Sequence, residues 1–216
     1  MKIVVIGATG NVGSRTVDEA LAAGHEVVAY VRRPEAVEAR PGLTVAAGDA
    51  SDSAALASAA AGADAVIVAI TGSMRDASFM QRALPSIIDA VRTAAVQRVV
   101  LVSAFGAGDT APKASGFARL LYRTVLKGFF ADKAAADAQL VASGLDYTIT
   151  YPVNLKDSPT LPEAAVQPLA TVAKVPGLPT LPFANVAKAL VAIAVDPAAS
   201  GARLLITTPQ GWTPTA

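Results

Sequence analysis

The apolar run Lys2-Ile3-Val4-Val5-Ile6 passes directly into Gly7-Ala8-Thr9-Gly10-Asn11-Val12-Gly13. An alanine-rich helical pattern over Asn11–Ala23 follows, and then a second apolar run, Glu26–Val31. Strand, tight turn, helix and strand within about thirty residues is the shortest way to make a parallel strand pair. The loop spacing is Gly-x-x-Gly-x-x-Gly. It gives a tight turn, a backbone that an anion can approach, and free N–H groups at a helix N-terminus facing that anion. Gly7, Thr9, Gly10, Asn11, Val12 and Gly13 are therefore candidate contacts for a dinucleotide pyrophosphate.

The alternation continues. Candidate strands lie at Thr44–Ala46, Ala65–Ile70, Arg98–Val102 and Tyr147–Thr150, with a late one at Arg203–Thr207. Helical patterns fall between them at about Asp52–Ala60, Ser78–Ala95, Phe117–Ser143 and Phe183–Asp196. Strands this apolar are those buried on both faces. The chain reads as α/β, a Rossmann-type doubly wound parallel sheet with helices on both faces. Residues 1–216 fit one domain. Gly24, Gly62 and Gly144 stand where helices need a left-handed C-terminal cap, and Asp52 is an N-cap candidate. A proline-rich region at about 154–182 reads as loop with short extended pieces, placed to cover the crevice at the strand ends.

Composition narrows the function classes. With 53% hydrophobic residues the chain can build a core, and no apolar run reaches bilayer length. The first apolar run is too short for a signal peptide and ends in a glycine turn, so a cytoplasmic location is expected. No cysteine is present, which removes disulfides, thiolate metal sites and a cysteine nucleophile. No cluster has metal-ligand character, and none is expected. A net charge of +1 and scattered arginines give no reason to expect nucleic acid, and no membrane partner is expected.

The end of the second strand selects the cofactor. An NAD site places Asp or Glu there, against the ribose hydroxyls. Here the sequence is Tyr30-Val31-Arg32-Arg33-Pro34, and Arg32 lies 19 positions past Gly13. A guanidinium offers bidentate, charge-assisted hydrogen bonds to a 2′-phosphate. The expected cofactor is NADP(H), with Arg32 on the phosphate and Arg33 stacking on adenine or facing solvent.

These residues resemble the atypical short-chain dehydrogenase/reductase family, the NAD(P)-binding group that includes NmrA-like proteins. Within it the chain is most similar to the biliverdin-IXβ reductase/flavin reductase type. The resemblance extends through Gly48-Asp49-Ala50, Gly62–Val68, Arg98–Phe105 and Ser143–Ile149. It implies that Asp49 and Ala50 lie beside adenine. It implies that Ile70, Thr71 and Gly72 line the path of pyrophosphate and nicotinamide ribose. Ser103 falls on the family's active-site serine, and Pro152 and Val153 where the backbone meets the nicotinamide carboxamide.

Many reductases of this family use Tyr-x-x-x-Lys, and Lys133 matches the lysine. The tyrosine position holds Phe129, which has no proton to give. Flavins and quinones accept hydride into a conjugated ring without a strongly placed acid, so orientation supplies most of the acceleration. The reading is an NADPH-dependent reductase of a planar conjugated small-molecule acceptor. Ser103 would position the acceptor or the nicotinamide amide. Lys133 would hold ribose, stabilise negative charge or be a solvated helix residue. Two alternatives stand beside it: a carbonyl or enone reductase in biosynthesis, and a non-catalytic NmrA-like sensor of NADP(H). Phe79, Met80 and Phe105 are candidates for the acceptor pocket or the core. His25 sits in a turn far from the strand ends, and Asp109 and Asp132 are lone carboxylates with no visible partner. The assembly is expected to be a monomer or homodimer.

Overall fold

The computed structural model describes residues 1–73 and 76–215. Five parallel strands are short, mostly apolar runs: β1 (Lys2–Ile6), β2 (Glu26–Val31), β3 (Leu43–Ala47), β4 (Ala65–Val68) and β5 (Arg98–Val102). The helices α1 (Asn11–Ala22), α2 (Ser53–Ala60), α3 (Phe79–Thr93), α4 (Gly116–Arg123) and α5 (Lys127–Ala142) connect and cover them. The chain continues as β6 (Tyr147–Pro152), the short strands β7 (Asn154–Lys156), β8 (Ala165–Pro168), β9 (Val172–Lys174) and β10 (Thr180–Pro182), then α6 (Phe183–Val195), β11 (Arg203–Thr207) and β12 (Thr213–Pro214).

The large sheet runs β3-β2-β1-β4-β5-β6-β11-β8, parallel except for β8. The chain steps outward from β1 to β3, then returns to β4 on the other side of β1. That reversal leaves a crevice at the carboxyl ends of β1 and β4. Register levels those ends: Ile6 pairs with Tyr30 on one side and Val68 on the other. Helices α1 and α6 pack together on one face, and α2, α3 and α5 on the other. No helix among the described residues is long and apolar enough to cross a membrane.

The expected caps form. Gly24, Gly62 and Gly144 have φ of +79°, +69° and +73°, and Asp52 accepts from the Ala55 N–H at 3.0 Å. Three expectations need correction. The single helix Phe117–Ser143 is two, α4 and α5. The helix breaks after Arg123, where Thr124 leaves the helical region and its hydroxyl bonds back to the Leu120 carbonyl. The proline-rich segment is only partly a crevice cover. Asn154 and Leu155 line the crevice, whereas Ala165–Pro168 extends the main sheet antiparallel to β11. Asp109 and Asp132 also have partners. Asp109 pairs with Arg203 at 2.9 Å.

Asp132 caps a helix other than its own. Its two carboxylate oxygens accept from the Met80 and Gln81 N–H groups at 2.9 and 3.0 Å, where α3 has no side-chain cap from Ser78. The carboxylate satisfies orphan donors at the positive end of the helix dipole and ties α5 to α3. Asp132→Ala leaves those donors buried without a partner. It should lower unfolding free energy by about 2 kcal/mol in urea titrations, with Asp132→Asn losing less.

Candidate functional site

The glycine loop leaves bare backbone beside the N-terminus of α1. Gly7 has φ +88°, and a Cβ on Gly13 would lie 2.1 Å from the Gly7 carbonyl oxygen. Helix α1 therefore sits directly on the strand end, with its first N–H groups turned into the crevice. Its first turn has no side-chain cap and no acidic residue. An uncompensated helix N-terminus over a bare backbone fits a pyrophosphate.

A cavity of about 800 Å³ runs along the strand ends from this loop. Gly7, Thr9, Gly10, Asn11 and Val12 line its centre, and Arg32, Arg33, Asp49 and Ala50 one end. Ile70, Thr71, Ser103, Lys133, Pro152 and Val153 line the other. Two expected contacts stand behind the wall. Gly13 packs on Gly7, and Gly72 sits against Phe79, which a Cβ would approach to 2.5 Å. Of the acceptor-pocket candidates, Phe79 and Phe105 line the cavity and Met80 is fully buried core.

At the arginine end, the Ser51 hydroxyl and N–H donate to Asp49 at 2.6 and 2.9 Å. These bonds hold the Asp49 carboxyl below the usual carboxylate range, and Arg32 adds to the effect. Tyr30, from below, donates its hydroxyl to the Asp49 carbonyl at 3.0 Å. The loop after β3 is thus fixed before any ligand arrives.

The other end is buried and polar. Lys133 is 4% exposed, so it is not a solvated helix residue. Its Nζ donates to the Val102 carbonyl at 3.1 Å and the Ile70 carbonyl at 3.3 Å, bridging the ends of β5 and β4. Burial pulls its pKa down from 10.5 to about 8, with Asp137 and Asp132 opposing. Ser103 donates to or accepts from Asp137 Oδ2 at 3.0 Å, both groups about 5% exposed or less. Tyr151, level with Ser103 on the neighbouring strand, accepts from Arg203 Nε and an Nη at 3.0 and 2.8 Å. Burial, and then the Asp137 charge, push the Tyr151 phenol up.

Sequence reasoning missed Asp137, Tyr151 and Arg203. Asp137 had a signal, since it stands one turn beyond Lys133 on the same helix face. Tyr151 follows Tyr147 and Ile149 at strand period, but nothing in the sequence places Arg203 beside it.

The NAD(P)H-binding family profile matches residues 7–197. The chain belongs to the NAD(P)H-binding family. A Bacillus subtilis (strain 168) protein named an uncharacterized sugar epimerase, YhfK, is 31% identical over 172 residues, 74% of each chain. The structure is similar to ChuY, described as an anaerobilin reductase, from Escherichia coli O157:H7. The identity is 27%, the TM-score 0.79, and coverage is 97% of this chain and 98% of that one. A short-chain dehydrogenase/reductase from Veillonella parvula in complex with NADP shares the fold, at 20% identity, TM-score 0.80, and 98% and 96% coverage.

The buried lysine sets a pH dependence. Below pH 8 both folded and unfolded Lys133 are charged, and the fold bears the cost of burying that charge. Between about pH 8 and 10.5 only the unfolded chain keeps the proton, so stability rises with pH. Measured as wild type minus Lys133→Met, unfolding free energy should shift toward the wild type by up to about 3 kcal/mol across that window.

Proposed function

We propose that this protein is an NADPH-dependent reductase of a planar conjugated acceptor, of flavin or quinone type. The observation that carries the reading is the lining at the Ser103 end. Phe79, Phe105, Phe129 and Phe130 offer flat apolar faces there, beside one serine and one buried lysine. Such a wall holds a ring system against the nicotinamide and excludes water, which is most of what hydride transfer to a conjugated ring demands. The bound cofactor supplies the hydride. Ser103 orients the acceptor or the carboxamide, and Lys133 fixes the floor of the site through the carbonyls of Ile70 and Val102. The likeness to ChuY, named for reduction of anaerobilin, supports an acceptor of tetrapyrrole or flavin type.

Arg32 and Arg33 at the far end favour NADPH over NADH, because a guanidinium replaces the carboxylate an NAD site uses. Arg32→Ala should weaken NADPH by roughly tenfold to a hundredfold, the worth of a charge-assisted pair, and leave NADH unchanged. Equal losses for both cofactors in a fluorescence titration would speak against a 2′-phosphate contact.

The activity test follows NADPH absorbance with FMN, a naphthoquinone and a set of ketones. Turnover with FMN or the quinone is expected, with Ser103→Ala lowering kcat more than NADPH affinity. Oxidation by ketones alone identifies a carbonyl reductase. Tight NADPH binding with no acceptor consumed identifies a sensor.

A further inference from the structure

Asp137 has no role in the function just proposed, yet its carboxyl lies against the Ser103 hydroxyl at the acceptor end. It sits on α5, buried, with Oδ2 at 3.0 Å from the Ser103 hydroxyl. Among the described residues its Oδ1 has no hydrogen-bond partner and the carboxyl forms no ion pair. The two cations that face it are spent elsewhere. Lys133, one turn earlier on α5, points at the carbonyls of Ile70 and Val102. Arg203, on β11, is held by Tyr151 and Asp109. The remaining neighbours are the hydroxyls of Ser103 at the end of β5 and Tyr151 on β6. A bare carboxylate buried with one oxygen unpaired is costly, and a neutral acid is not.

The serine has a single proton. If Asp137 were ionised, Ser103 would have to donate to it and could not donate into the cavity. If Asp137 carries a proton, it donates to Ser103 Oγ, and the serine's own proton turns toward the acceptor. We propose that Asp137 is the proton reserve of this site, a neutral carboxylic acid that orients Ser103 toward the acceptor and refills it after proton transfer. Burial of the carboxyl pushes its pKa in the required direction, with the Ser103 bond, Tyr151, Lys133 and Arg203 opposing in part.

The step balances. The acceptor gains the hydride and the proton from Ser103 Oγ, and the anion formed by hydride addition is neutralised as it develops. The Ser103 O–H bond that breaks is remade with the proton of Asp137, which is left as a carboxylate. Water reprotonates it once the product has left the open crevice. Asp137 acts through Ser103 and is a positioning residue, and the proposal rests on the reductase reading for its catalytic consequence.

Asp137→Asn separates the two duties, because the amide still donates to Ser103 but has no proton to pass on. With FMN or a naphthoquinone, kcat should fall about tenfold or more with NADPH affinity unchanged, within the range general acids contribute. The decline of kcat toward alkaline pH should vanish in Asp137→Asn and return, shifted, in Asp137→Glu. A second readout needs no turnover. Infrared spectra of the NADP⁺-bound wild type at neutral pH should show a carboxylic-acid C=O band that disappears on alkaline titration. That band should shift in Ser103→Ala and be missing in Asp137→Asn. Wild-type kcat and pH profile in Asp137→Asn, or no acid band at neutral pH, would overturn the proposal. An acid band in a protein that reduces no acceptor would sustain the neutral acid and sink the reductase reading alone.

Discussion

Helix α1 rests on the carbonyl of Gly7 across a gap that admits no side chain at Gly13. That contact decides where the first N–H groups of the helix point, and so where a pyrophosphate can be held. Everything else in the crevice is arranged around it. The sheet reverses direction beside β1, so β4 and β5 end level with the loop and bring Ile70 and Ser103 alongside it. A side chain at Gly13 would push the helix off that carbonyl and carry its first N–H groups away from the strand ends.

A second centre does the same work for the acceptor end. Helix α5 presents Asp132, Lys133 and Asp137 to the interior, and each has a different task. Asp132 closes the start of α3, Lys133 gathers the ends of β4 and β5, and Asp137 reaches Ser103. Three ionisable side chains on two turns of one buried helix are expensive, which is why two of them are fully engaged with backbone groups. The engaged pair gives the site its rigidity. The unengaged carboxyl is the one that meets the Ser103 hydroxyl.

Much of this was legible in the sequence because it depends on short-range chemistry. Glycine spacing, β-branched runs and the arginine after Val31 are local signals. Four strands, β1, β2, β5 and β11, match their expected limits residue for residue. What escaped was long-range. Nothing near Asp132 says that it serves the N-terminus of α3, more than fifty positions earlier, since that needs the packing angle of two helices. The division of α4 from α5 turns on one threonine hydroxyl competing for carbonyls, against a pattern that reads as helix throughout. The place of Ala165–Pro168 in the main sheet was hidden by the prolines around it, which argue for loop until β11 offers an edge.

That last strand has an effect at the scale of assembly. An open parallel sheet has two edges on which another chain could add a strand. Here β8 occupies one of them with four residues running the opposite way and a proline at its end, a poor template for further pairing. The remaining edge is Leu43–Ala47, five residues of which Thr44 and Ala47 are exposed and the other three half-buried. Growth of this sheet between copies of the chain has one side from which to start, and that side lies at the outer end of the half that carries the arginines.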